Sequence, residues 1–140
     1  MQNTIPFLEE ITSKIQERFP DLRFEVRERN KTDCPGAVCK EIYVVGCTTP
    51  FCGFTLRSDL KIKVPVVDIF LITSIPDGQT YVFESFKPKH SIELPEGNSS
   101  SLYKEHIYNE GKHKVIDVSL NDIIDEICNH LQKQREVFCF

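Results

Sequence analysis

The most constraining feature of this sequence is an apolar run at residues 64–73, which is rich in β-branched and aromatic side chains. Side chains of this kind suit the packed surface of a β-sheet. Residues 75–78, Ile-Pro-Asp-Gly, follow the run and favour a tight turn. Residues 80–86 then predict a return strand, so we interpret residues 60–86 as a β-hairpin at the centre of the fold.

Two further segments, near the two ends of the chain, have apolar residues at helical spacing. The first runs from Thr4 to Phe19 and ends there because a residue that precedes proline, here Pro20, leaves the helical region. The second begins after Ser119, whose hydroxyl can cap it, and extends through Leu131. We therefore predict an N-terminal and a C-terminal amphipathic helix.

The remaining strand signals are shorter. Residues 22–28 alternate between apolar and charged side chains, and residues 40–46, 54–56 and 114–118 are also predicted as strands. Residues 88–112 contain proline, glycine and a run of serines, a composition typical of a loop. We therefore predict a long connection between the central hairpin and the last strand.

Together these elements predict an α+β fold: an antiparallel sheet of four to five strands with the N- and C-terminal helices packed on one face. A length of 140 residues allows a substantial hydrophobic core and favours a single globular domain over residues 1–140. The predicted core combines the apolar stripes of both helices with alternate strand residues: Phe7, Leu8, Ile11, Ile15, Phe24, Ile42, Val44, Ile69, Leu71, Phe83, Ile123, Ile124, Ile127 and Leu131.

Charge and hydropathy narrow the classes of partner. A net charge of −4 and a pI near 5.6 argue against nucleic acid, which normally requires a basic surface. The apolar residues 64–75 are too few to span a bilayer, and the first residues lack the features of a signal peptide. The sequence therefore predicts a cytoplasmic protein with no nucleic-acid or membrane partner.

Cysteine is over-represented, with six residues, and four of them are spaced symmetrically at Cys34, Cys39, Cys47 and Cys52. One zinc ion would need all four to converge, but a strand over residues 40–46 would hold the two pairs roughly 20 Å apart. Local disulfides are geometrically possible, although cytosolic thiols stay reduced. We expect small buried or turn thiols, and a thiol- or zinc-dependent protein built on these four cysteines is the alternative function.

No group of side chains typical of an enzyme is visible in the sequence. The four histidines lie outside any Cys/His catalytic signature, and the scattered glycines form no phosphate-binding loop. Asp68 interrupts the most apolar strand, and we interpret it as facing water, because a buried carboxylate would need partners. The sequence therefore predicts no catalytic residue, no metal site and no cofactor.

The order of helix, antiparallel strands, long loop and helix resembles the RWD and ubiquitin-conjugating-enzyme-like scaffold. The segment from Phe86 through Pro95 is similar to the proline-containing turn that follows the fourth strand of that scaffold. No cysteine lies between Pro88 and Val118, where a conjugating enzyme of this kind carries its thiol. The resemblance thus implies the fold without the conjugating activity.

A functional expectation follows from the second face of the sheet. Two helices can cover only one face, yet apolar side chains of the central strands point to both. An exposed contiguous apolar patch is typical of an interaction site. We therefore predict a non-enzymatic protein-interaction module, either an adaptor, an inhibitor or a small subunit, that binds a protein partner or forms a homodimer. The predicted binding residues are Tyr43, Val45, Val66, Phe70 and Ile72.

Overall fold

The computed structural model describes residues 5, 7–29, 38–58, 64–73, 88–94 and 102–138. These residues form two helices, α1 (Leu8–Arg18) and α2 (Leu120–Phe138), and a seven-stranded sheet. The strands are β1 (Phe24–Glu28), β2 (Val38–Val44), β3 (Cys52–Ser58), β4 (Pro65–Leu71), β5 (His90–Glu93), β6 (Leu102–Asn109) and β7 (Lys112–Ser119). The predicted α+β class is confirmed, whereas the prediction of four to five strands is too low.

The sheet is an antiparallel meander, since strands that are consecutive in the chain pair with each other, and β1 and β7 form its two edges. The apolar run predicted as the central strand is confirmed as β4, which lies between β3 and β5. The predicted turn at 75–78 and the return strand at 80–86 lie outside the described residues.

Residues that face each other across neighbouring strands share one face of the sheet. We call the face that contains Ile42, Phe54 and Ile69 the helix face, because these side chains pack in one cluster with both helices. Its alternate neighbours form the opposite face, which we call the outer face.

The predicted core lies on the helix face. Its buried members are Phe7, Ile11, Ile15, Ile42, Val44, Ile69, Ile123, Ile124, Ile127 and Leu131. Leu8, Phe24 and Leu71 are partly buried against that core, and Phe83 lies outside the described residues. The core prediction succeeds because helical and strand periodicity mark inward positions locally.

The α2 helix begins as predicted, because the backbone N–H of Asp122 donates to the Ser119 hydroxyl at 3.1 Å. Near its other end the helix is tied to the sheet, where Gln134 and His130 donate to the Ile72 carbonyl at 2.7 and 2.8 Å. Burial lowers the pKa of His130, and the N–H on Nε2 that donates to the Ile72 carbonyl is compatible with a neutral ring. No helix within the described residues has the length and apolar character needed to cross a membrane.

The prediction of a long loop over residues 88–112 is wrong where the structure describes that segment. Residues 90–93 form β5 and residues 102–109 form β6. The buried positions of β6 include Glu105 and His106, so the strand lacks the apolar alternation by which strands are recognised. The proline-containing turn suggested by the RWD resemblance likewise contains β5.

A two-residue turn joins β6 to β7. Asn109 faces Lys112, and the residues between them, Glu110 and Gly111, have φ values of 51° and 78°. Positive φ at both central positions is the type I′ turn that matches the twist of a hairpin. Glycine adopts positive φ without strain, whereas glutamate is disfavoured there because its long side chain cannot form the local hydrogen bonds that help asparagine or aspartate.

We expect Glu110→Asn to raise the free energy of unfolding by about 0.5–1 kcal/mol, because asparagine tolerates positive φ better than glutamate. Urea denaturation at neutral pH would measure the change. Glu110→Gln is the matched control, since it removes the charge but keeps the unsuited side chain. Equal stabilisation by both variants would show that charge, not backbone conformation, is responsible.

Candidate functional site

The five predicted binding residues do not form one continuous exposed patch. Tyr43, Val66 and Phe70 lie on the outer face, while Val45 and Ile72 follow the ends of β2 and β4. Val66 is fully buried and Ile72 is 6% exposed, whereas Val45 is 55% exposed. The middle of the outer face is therefore already covered within this chain.

The centre of the outer face is also polar. Asp68 is buried and accepts hydrogen bonds from Arg57 Nε at 2.5 Å, from Arg57 Nη2 at 3.2 Å and from Ser91 Oγ at 2.7 Å. The interpretation of Asp68 as facing water is therefore wrong. Arg57 on β3 and Ser91 on β5 flank β4, so only the strand register brings these three residues together.

A cleft of about 190 Å³ opens beside Tyr43. The guanidinium carbon of Arg27 lies 4.4 Å from the centre of the Tyr43 ring, a cation–π arrangement. The Tyr43 hydroxyl lies 3.4 Å from Glu41 Oε1, and desolvation raises the pKa of that hydroxyl, so it stays neutral and can donate. The cleft is lined by Arg29, Glu41, Tyr43, Thr48, Thr49, Pro50 and Ile72.

A larger share of the exposed apolar surface lies at the far end of the sheet. We call residues 102–119, which comprise β6, β7 and their turn, the β6–β7 ribbon. Seven large apolar residues are exposed in the described part of the chain, and four of them belong to this ribbon. They are Leu102, Tyr108, Val115 and Ile116, with exposed fractions of 51%, 44%, 45% and 38%.

The ribbon ends the sheet with a long edge strand. β7 is the outermost strand, and its residues 112–117 are all exposed. In a hairpin with a two-residue turn, the flanking pair Asn109 and Lys112 exchange backbone hydrogen bonds. By alternation, His113, Val115 and Asp117 direct their backbone N–H and C=O groups away from β6. This edge can accept an additional strand.

Sequence reasoning missed most of this surface, because only residues 114–118 of it were predicted as strand. One local signal was available: Gly111 lies in the polar stretch Asn-Glu-Gly-Lys at residues 109–112. Such a stretch, preceded by Tyr and Ile and followed by Val and Ile, is a hairpin signal. No sequence pattern predicts the exposure of Val115 and Ile116, since the pattern of a strand does not reveal whether that strand is outermost in the sheet.

The described cysteines are in two states. Cys39 is disulfide-bonded, whereas Cys47, Cys52 and Cys128 are buried free thiols. The expectation of small buried thiols is therefore confirmed for the latter three and wrong for Cys39, while Cys34 lies outside the described residues.

Strand register also separates the cysteines of the zinc hypothesis. Cys39 faces Thr55 on the outer face, and Cys52 faces Ile42 on the helix face, so they cannot ligate one ion. Burial raises the pKa of the Cys52 thiol, which disfavours a thiolate there. Among the described residues, no group of three or more His, Cys, Asp or Glu side chains could hold a metal.

Comparison with known proteins adds no further constraint on function. No protein-family model matches this chain, and neither a curated protein nor a solved structure matches it.

Proposed function

We propose that this chain is a non-enzymatic protein-interaction module that docks an extended segment of a partner protein against the outer edge of β7. The observation that carries the proposal is the eight-residue length of this edge strand together with the exposure of Val115 and Ile116 at its middle. Partners that add a strand to an exposed edge gain affinity from backbone hydrogen bonds and specificity from side chains on the two faces.

The two edges of the sheet differ in a way that favours β7. Proteins commonly protect edge strands by keeping them short and charged. β1, at the opposite edge, has five residues, and its sequence Phe-Glu-Val-Arg-Glu interrupts every apolar residue with a charge. β7 is longer, and Val115 and Ile116 are adjacent, so each face of the edge presents an exposed apolar side chain.

The charge on β7 indicates the chemistry of the partner. The chain as a whole is acidic, yet Lys112 and Lys114 lie along this edge. The two lysines lie on the same side of the ribbon as Ile116. Opposite charges directly across neighbouring strands are stabilising. The partner is therefore an extended segment in which acidic and apolar residues alternate.

Selection from a random peptide library displayed on phage would test the proposal. We expect the enriched peptides to alternate acidic and apolar residues and to bind the wild-type chain. Val115→Asp should abolish this binding, because it places a charge at the centre of the edge. Tyr43→Ala is the matched control from the surface predicted by sequence, and it should bind the same peptides as the wild type.

Two results would contradict the proposal. One is enrichment of peptides whose binding depends on Tyr43 and not on Val115, which would favour the cleft. The other is concentration-dependent self-association of the wild type, seen by light scattering and abolished by Val115→Asp, which would make a second copy the occupant of this edge. The Val115→Asp and Tyr43→Ala proteins should retain the wild-type circular dichroism spectrum, so that either result reports on binding and not on folding.

A further inference from the structure

The outer face of the β6–β7 ribbon carries two histidines in direct contact. His106 Nδ1 lies 2.9 Å from His113 Nε2. His106 is buried and its other nitrogen, Nε2, lies 2.7 Å from Glu93 Oε2 on β5. The exposed His113 ring is stacked on Tyr108, with 4.5 Å between ring centres. Neither imidazole contributes to the proposed β7 edge contact through its ring.

The carboxylate of Glu93 decides the tautomer of His106. A carboxylate accepts hydrogen bonds, so the neutral His106 ring carries its proton on Nε2 and presents a lone pair at Nδ1. His113 Nε2 then donates to that lone pair. If His113 instead carries its proton on Nδ1, the lone pairs of His106 Nδ1 and His113 Nε2 both point into the space between the two rings. That tautomer change conserves every proton of the neutral pair.

We propose that His106 Nδ1 and His113 Nε2 form a two-histidine binding site for a divalent transition metal such as Zn²⁺, Ni²⁺ or Cu²⁺. Imidazole nitrogen suits these ions. Two nitrogens at 2.0–2.1 Å from a tetrahedral ion lie roughly 3.3 Å apart, so the nitrogens need to separate by about 0.4 Å. The rings, which are 21° from parallel with centres 5.1 Å apart, must also turn so that both lone pairs point at the ion. The exposed His113 ring can supply this movement, and water completes the coordination sphere.

The surroundings of the pair fit this assignment. Histidine ligands of metals commonly donate their second N–H to a carboxylate, which fixes the ring and raises its basicity. Glu93 occupies that position on His106. Lys112 and Lys114 lie on the opposite face of the ribbon, and Lys104 on the same face is 3.8 Å from Asp117. The ammonium groups of these lysines therefore do not occupy the position between the two imidazole nitrogens, where the metal would bind.

Calorimetric titration of the full chain with Zn²⁺ tests the site, after accessible thiols have been alkylated. We expect saturable binding that His113→Gln weakens about tenfold or more, while Lys114→Gln, at an exposed neighbour, leaves it unchanged. Glu93→Ala should weaken binding about 10–100-fold, and Glu93→Gln, which keeps an acceptor oxygen, should restore most of it. Nitrogen-15 spectra should show the largest metal-induced shifts at His106 Nδ1 and His113 Nε2.

The proposal is overturned if the wild type binds Zn²⁺ no more tightly than His113→Gln does, or if the shifts fall on His90 or His130 instead. His113 is exposed, so its variant should fold normally, and circular dichroism would verify that. The site stands independently of the proposed peptide-binding function, because peptide selection and metal titration have separate readouts.

Discussion

Replacing His90 with leucine is expected to lower the free energy of unfolding by about 3–5 kcal/mol, because the change leaves a buried carboxylate without its partner. His90 Nδ1 lies 2.7 Å from Glu105 Oε1 and His90 Nε2 lies 2.5 Å from Glu126 Oε2. The side chains of His90 and Glu105 are 16% and 9% exposed. The imidazole of His90 therefore links β5 to Glu105 on β6 and to Glu126 on α2.

Urea denaturation of three variants separates the contributions. Lys89→Ala removes an exposed pair with Glu126, at 3.6 Å, and should cost less than about 1 kcal/mol. His90→Leu combined with Glu105→Leu should recover much of the loss, because both polar partners are then replaced by apolar ones. A loss equal to that of Lys89→Ala, with no recovery in the double variant, would show that Glu105 is solvated when His90 is absent.

Replacing Asp68 with alanine is expected to lower the free energy of unfolding by about 3 kcal/mol, since it removes the acceptor of two hydrogen bonds from Arg57 and of one from the Ser91 hydroxyl. Asp68 lies in the middle of the sheet, with a side chain only 9% exposed. The change also leaves the guanidinium group of Arg57, which is 28% exposed, without this carboxylate. Thermal unfolding and urea denaturation would both report the loss.

The matched control for Asp68 is an ion pair between strands on the surface. Glu28 lies on the edge strand β1 and its Oε2 is 3.3 Å from Lys40 Nζ on β2, with the glutamate 56% exposed. Glu28→Ala should cost less than about 1 kcal/mol, because solvent screens that pair. Comparable losses for the two variants would mean that the Asp68 cluster is open to water, which contradicts its burial.

The elements that the sequence predicted correctly are those specified by neighbouring residues. The α1 helix ends at Arg18, just before Phe19 and Pro20, and Ser119 caps α2. Strand β4 was recognised from β-branched and aromatic residues alone. In each case the signal lies within about four residues of the structure that it predicts, so no knowledge of the rest of the chain was needed.

The candidate site was predicted only in part, and for a definite reason. Tyr43 and Phe70 do lie on the face opposite the helices, as strand periodicity requires. Exposure on that face, however, depends on what the rest of the chain covers, and Val66 proved to be buried. The exposed apolar surface of the ribbon depends on strand order, because Val115 lies on the outermost strand and has a neighbouring strand on one side only.

Periodicity and capping therefore determine from sequence alone that this chain forms two terminal helices and an antiparallel sheet. Only the tertiary structure decides which strand is the edge and which polar groups meet. Asp68 meets Arg57 and Ser91, and His106 meets Glu93 and His113, across strand pairs whose register no local pattern encodes. A one-residue shift of register would turn each side chain to the opposite face and separate both clusters.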